Sequence, residues 1–157
     1  LTMSFYSSLF SSVSTTRPAD TTAYTAGDVY GGLQTFQTIG ISNSSVILTS
    51  LSLRINIASV PSGMVGFRLH LYSAAPSSLT DNAVWSMTTG DRSIYEGYID
   101  LAIPTAVGSS IVYSQNDNIN KQVKLSSSSL YGYLVTLGAY TPASATTSTI
   151  ELHSVQI

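Results

Sequence analysis

The side chains that could do chemistry are few and scattered. The chain holds two histidines, His70 and His153, eight carboxylates and no cysteine. Nucleophilic catalysis needs an activated Ser beside a base that a carboxylate orients. There are 28 Ser, yet none stands in a Gly-x-Ser-x-Gly elbow. His70 shares the polar parity of an alternating run with Arg68, and His153 has a similar place near the C-terminus. Both fit solvated strand positions. Glycoside hydrolysis needs two carboxyl groups flanking one bond, and the candidates are Asp91, Glu96, Asp100, Asp117 and Glu151. Glu96 and Asp100 fall on one strand face, two pleats and about 13 Å apart, beyond the roughly 5–9.5 Å of either glycosidase geometry. Arg68 and Arg92 are their expected ion-pair partners.

Metals and nucleotides find little. Without Cys there is no disulfide framework, thiolate metal site or Cys nucleophile. Asn116-Asp117-Asn118 offers oxygen ligands but lacks the downstream bidentate Glu of a calcium loop, and the same triplet suits a tight turn. Gly27, Gly31 and Gly32 match no nucleotide fingerprint. No catalytic residue, metal or cofactor is expected, and the chain is not expected to be an enzyme. Aromatic side chains remain: ten Tyr, four Phe and one Trp. Tyr131 and Tyr133 share one face of a strand and read as core, with hydroxyls at the rim. Trp85, Tyr95 and Tyr98 are the candidate surface contacts, because Tyr and Trp give large contact area with a polar handle.

Charge narrows the partners. Only 9% of residues are charged, against about 25% in an average soluble protein. Ser and Thr make up 46 of 157 residues, so the surface must be neutral and rich in hydroxyls. A net charge of −2 with six Lys and Arg argues against nucleic acid and against anionic membranes. No apolar run approaches the roughly 18 residues of a membrane span. The first basic residue is Arg17, and no long apolar run precedes it, so no secretory leader is expected.

The elements that must position these residues are strands. Short alternating runs are separated by Ser, Thr, Asn, Gly and Pro clusters. Val46 to Ile57 places Leu51, Leu53, Ile55 and Ile57 on one face, and Met64 to Tyr72 places Val65, Phe67, Leu69 and Leu71 likewise. Further strands are expected over Leu33–Ile41, Ala83–Met87, Ile94–Ile103, Ser110–Gln115, Ile119–Leu125, Leu130–Tyr140 and Ser148–Ile157. Leu130–Tyr140 is apolar on both parities, so it should be central and covered twice. In the last strand Ile150 and Leu152 differ in parity from Val155 and Ile157, which signals a bulge or an exposed final residue. Residues 1–16, dense in Ser and Thr, read as an N-terminal arm that another surface must order. The expected fold is all-β: residues 17–157 form one two-sheet antiparallel sandwich of jelly-roll type, with an immunoglobulin-like sandwich as the alternative.

Four stretches add a resemblance. They are Thr16-Arg17-Pro18-Ala19-Asp20-Thr21-Thr22-Ala23-Tyr24-Thr25-Ala26-Gly27-Asp28-Val29, Phe67-Arg68-Leu69-His70-Leu71-Tyr72-Ser73-Ala74-Ala75-Pro76, Tyr98-Ile99-Asp100-Leu101 and Leu130-Tyr131-Gly132-Tyr133-Leu134-Val135. Together they resemble small virion structural proteins of tailed bacteriophages, some of which look like capsid decoration (cement) proteins. The resemblance implies a jelly roll on the capsid surface of a virion assembled in the bacterial cytoplasm. It implies the major capsid protein and further copies of itself, as homodimer or homotrimer, as partners. In that role Phe5, Tyr6, Leu9, Phe10 and Arg17 are the expected interface residues. The alternative is a carbohydrate- or receptor-binding module of a tail or head fibre, with Trp85 and the exposed tyrosines stacking on sugar.

Overall fold

Alternation of apolar with hydroxyl side chains drives about half of the described residues into ten strands. The structure, a computed structural model, describes residues 8–157. In order the strands are β1 (Ser8–Thr16), β2 (Val29–Phe36), β3 (Ser45–Ile55), β4 (Gly66–Tyr72), β5 (Tyr95–Ala102), β6 (Thr105–Ala106), β7 (Val112–Asn116), β8 (Lys121–Lys124), β9 (Leu130–Thr136) and β10 (Thr147–Gln156), with a 3-10 turn over Thr89–Ile94. One sheet runs β1-β10-β3-β7-β6, with β8 also on β3, and the other runs β2-β9-β4-β5. The antiparallel pairs are nested: β4 with β5, β3 with β7 and β8, β2 with β9, and β1 with β10. A ribbon of nested pairs wrapped into two sheets is a jelly roll, as expected.

The core lies between the sheets. Val46, Leu48, Leu51, Leu53, Ile150 and Leu152 from the first sheet meet Phe36, Phe67, Leu69, Leu71, Ile99 and Leu134 from the second. Truncating one of these to Ala would cost about 2–5 kcal/mol, because a packed interior relaxes little around a cavity. Val65, expected inward, lies before β4 and is exposed. In β10 the register shifts between His153 and Ser154, the bulge that the change of parity signals, and Ile157 is exposed.

The described part of the expected arm is a strand. Residues 8–16 pair with β10 over their full length, without a register shift. Leu9, Ser11, Val13 and Thr15 face inward and alternate with exposed Ser8, Phe10, Ser12, Ser14 and Thr16. Small inward side chains suffice because this edge closes toward β2. There the Thr15 hydroxyl donates to Gln34 Oε1 at 3.1 Å. A Cβ on Gly31, which has φ +78°, would lie 2.5 Å from Thr15 Cγ2. The Ser and Thr content that disfavours a helix is no obstacle to a strand.

Two further expectations change. The turn at Asn116-Asp117-Asn118 does not join a hairpin. Strands β7 and β8 both pair with β3, so they form one interrupted strand, and residues 117–120 bulge opposite Thr49 and Ser50. The expected strand Ala83–Met87 is reduced to a single bridge between Asp28 and Val84. It belongs to the long connection of residues 73–94, which lies across the outer face of the four-stranded sheet. Leu79, Trp85 and Ile94 of this connection cover Val29, Tyr72, Tyr133 and Val135. Strand β9 is therefore covered on both faces, as its sequence requires. Among the described residues no helix is long and apolar enough to cross a membrane.

Candidate functional site

The connection 73–94 is pinned by buried polar groups. The Tyr133 hydroxyl donates to Ser77 O at 2.7 Å and accepts from Leu79 N at 2.9 Å. Val29 N donates to Ala83 O at 2.8 Å. Both Asp91 oxygens accept the Ser77 N–H, at 3.1 Å each. Burial opposes ionisation of Asp91, but this N–H holds its carboxyl below the ordinary range.

Asp81 is the strongest anchor. Its Oδ1 accepts from the Tyr24 hydroxyl at 2.5 Å and from Gly31 N at 2.8 Å, and its Oδ2 accepts from Arg17 Nη2 at 3.3 Å. Arg17 also donates to Tyr24 Oη and to the Ala143 carbonyl. Burial pulls the Arg17 pKa down, yet the bond to Tyr24 and the charge of Asp81 raise it overall. Burial and then Asp81 push the Tyr24 hydroxyl well above the ordinary tyrosine range. Arg17 is 2% exposed. Of the expected interface residues, Arg17 is the one whose donors already serve this network, which ties the residues after β1 to the connection over the other sheet.

The remaining interface candidates separate. Phe5 and Tyr6 lie outside the described residues. Leu9 is half-buried on the inward face of β1. Phe10 is 62% exposed and stacks on His153, with centroids 5.6 Å apart. These two rings sit on the outer face of the six-stranded sheet. Across β1, β10 and β3 that face also carries mostly Ser and Thr, with Ile47 and Val155 as a small apolar patch beside Ser8 and with Arg54 and Glu151 as its charges.

Trp85, Tyr95 and Tyr98 are brought together around His70. The Trp85 ring stacks on the His70 ring at 3.6 Å and 7°, and Trp85 Nε1 donates to the Tyr72 hydroxyl at 3.1 Å. Tyr95 Oη lies 2.8 Å from His70 Nδ1. Desolvation, then the charge of Arg68, lowers the His70 pKa to about 4, so the ring is neutral at pH 7. Trp85 is thus half-buried cover over the sheet. His70 was expected to be solvated; it is buried because the connection crosses it.

Tyr98 marks the open margin of this cluster and is 50% exposed. Arg68 lies over its ring at 3.9 Å and forms a two-pronged pair with Asp100, at 2.7 and 2.9 Å. That pair confirms the Arg68 partner expected for this carboxylate. A shallow groove of about 550 Å³ runs from Tyr98 and Asp100 along the bulge, past Asn116, Asn118, Asn120 and Gln122. The sequence shows the amides but not that the bulge faces them toward Tyr98. A second cleft of about 590 Å³ opens at the end of the sandwich between Ile57, Pro61, Met64 and Pro142, floored by Tyr30 and Tyr140. The hydroxyls of both tyrosines are buried without a hydrogen-bond partner.

Among the described residues no acid–base constellation is assembled. Asp100 is held by Arg68, His70 is capped, and His153 has Glu151 at 3.9 Å on the open face. Among the described residues no three His, Asp or Glu side chains converge as a metal-ligand set.

No protein-family model matches the chain, and no curated protein matches it. Among solved structures, a chain from the capsid of Ralstonia phage GP4 is 11% identical, with a TM-score of 0.42 over 98% of this chain and 85% of that one. A chain from the cyanophage Pam1 capsid asymmetric unit is 10% identical, with a TM-score of 0.36 over 97% and 84%. A chain of heated Israeli acute paralysis virus particles is 12% identical, with a TM-score of 0.30 over 96% and 71%. All three lie below the similarity at which a shared function follows. The jelly roll rests on the strand order itself.

Proposed function

We propose that this chain is a non-catalytic structural protein of a bacteriophage virion, a capsid decoration protein. It binds the outer head shell and bridges neighbouring capsid subunits. The observation that carries this reading is the open outer face of the six-stranded sheet. It is broad and uncovered by any connection among the described residues, and across β1, β10 and β3 it is mostly Ser and Thr with Arg54 and Glu151 as its charges, while Lys124 of β8 adds a third. Hydroxyl-rich faces pack side by side without repulsion. The exposed Phe10–His153 pair supplies an aromatic anchor of the kind that dominates interface energies. The four stretches that resemble phage virion proteins support the same reading. Binding to the assembled shell alone would stabilise that shell by mass action. The test is copy number in purified virions, by mass spectrometry against the major capsid protein. A number comparable to that of the capsid protein is expected. A few per cent would overturn the decoration role.

A second reading has its own observation. Exposed Tyr98, the Arg68–Asp100 pair and the amide-lined groove form a platform suited to a neutral sugar, with an aromatic face beside planar hydrogen-bonding groups. Glycan-array binding that Tyr98→Ala abolishes would favour this receptor-binding role. An array without hits would remove it.

A further inference from the structure

The four sheet edges differ in a way that points to a partner. Unpaired N–H and C=O groups on an edge strand invite pairing with another chain, and proteins blunt such edges with charge, proline, bulges or brevity. Three edges here are blunted. The β6 margin is short, since β6 has two residues and follows Pro104, and β8 on the same margin has four residues with Lys121 and Lys124. Strand β5 carries Glu96 and Asp100, with Gly97 at φ +94° and a register shift opposite it. Strand β2 is broken by Gly31 and Gly32, both at positive φ, where its register with β9 shifts. Strand β1 has none of these devices. It has no charge and no proline, and it pairs with β10 in unbroken register.

We propose that the edge of β1, unpaired among the described residues, pairs antiparallel with β1 of a second copy of this chain, about a two-fold axis through Ser11. The register follows from the edge itself. Thr15 is engaged with Gln34 and packs against Gly31 of β2, which leaves Leu9 and Val13 as the half-buried apolar residues of the open edge, with Ser11 midway between them. Pairing about Ser11 sets Leu9 opposite Val13 of the second copy on the inward face, and Val13 opposite its Leu9. Both are half-buried, and the pairing completes their burial. On the outward face Phe10 meets Ser12. No like charges face each other, because the strand has none. A two-fold pairing also consumes both free edges at once and closes. It would join two open faces into one continuous surface. The inference stands on the sheet edges and does not require a virion role.

The absence of cysteine gives a clean test. In Ser11→Cys, directly opposed residues on the axis lie within disulfide range. Under mild oxidation Ser11→Cys should form a covalent dimer, while Ser14→Cys, which faces Ser8 of the second copy, should not. Sedimentation should show a wild-type dimer that Ser12→Lys, with its fold intact by circular dichroism, weakens about tenfold or more. Equal cross-linking of both cysteine variants would overturn the proposal. So would a dimer indifferent to Ser12→Lys, or a monomer at every concentration up to about 1 mM. Slow hydrogen exchange along the outer β1 edge in a monomer would also overturn it, because the chain would then be covering its own edge.

Discussion

The two outer faces of this sandwich are built on opposite principles. The four-stranded sheet is roofed by residues 73–94, and Trp85, His70, Tyr72 and Tyr133 form a second, smaller core beneath that roof. The six-stranded sheet has no roof among the described residues, and its outer face presents Ser, Thr and the Phe10–His153 pair. The difference follows from the strands. Strand β9 is apolar on both parities, so its sheet must be covered by its own chain. Strands β1, β3 and β10 alternate strictly enough to leave one face wet, or free for another protein. Stability is thus concentrated on one side and availability on the other.

The largest effect should come from removing the roof's main anchor. Asp81→Ala leaves the buried Arg17 guanidinium with only the exposed Asp20, at 3.6 Å, as counter-ion and strips acceptors from Tyr24 and Gly31, a loss of about 3–5 kcal/mol in denaturant unfolding. A loss below about 1 kcal/mol would mean that the network does not hold the roof. Trp85→Ala should cost less, about 2–3 kcal/mol, because the ring is half-buried. It should also let the His70 pKa rise toward 6.5, visible by NMR titration.

A pH effect of similar origin follows. His70 titrates near 4 when folded and near 6.5 when unfolded, so below pH 6.5 the unfolded chain binds the proton first. His70 therefore makes stability fall as pH drops from about 6.5 to about 4, with no further loss below that window. His70→Phe should flatten this window, and an unchanged slope would contradict the burial described. The smallest effect belongs to the open face. Phe10→Ser should shift stability by no more than about 0.5 kcal/mol, while abolishing attachment to heads in a sedimentation assay. A large stability loss there would mean that the face is structural, not available.

Much of this division was legible in residue patterns. The alternation over β3 and β4, the double cover of β9 and the irregularity in β10 all follow from apolar parity. What was not legible depends on long-range partners. Strand β1 hides because Ser11 and Thr15 serve as core-facing residues only where the edge bends toward Gly31. The fate of His70 depends on a connection whose covering role shows only when Trp85 is seen on it. Arg17 is expected at an interface, and its burial depends on Asp81, 64 residues away, while Asp20, three residues on, stays exposed. Trp85, Tyr95 and Tyr98 were marked individually, but neither their meeting around His70 nor the groove beside Tyr98 has a local signal.

The most direct test of the central claim is hydroxyl-radical footprinting of the chain in intact virions, compared with the free protein. Oxidisable side chains mark both faces: Phe10 and His153 on the open one, Trp85 and Tyr98 on the roofed one. Docking through the open face predicts strong protection of Phe10 and His153 with Trp85 and Tyr98 unchanged. Protection of Trp85 and Tyr98 with Phe10 still reactive would contradict it and place the contact on the roofed side.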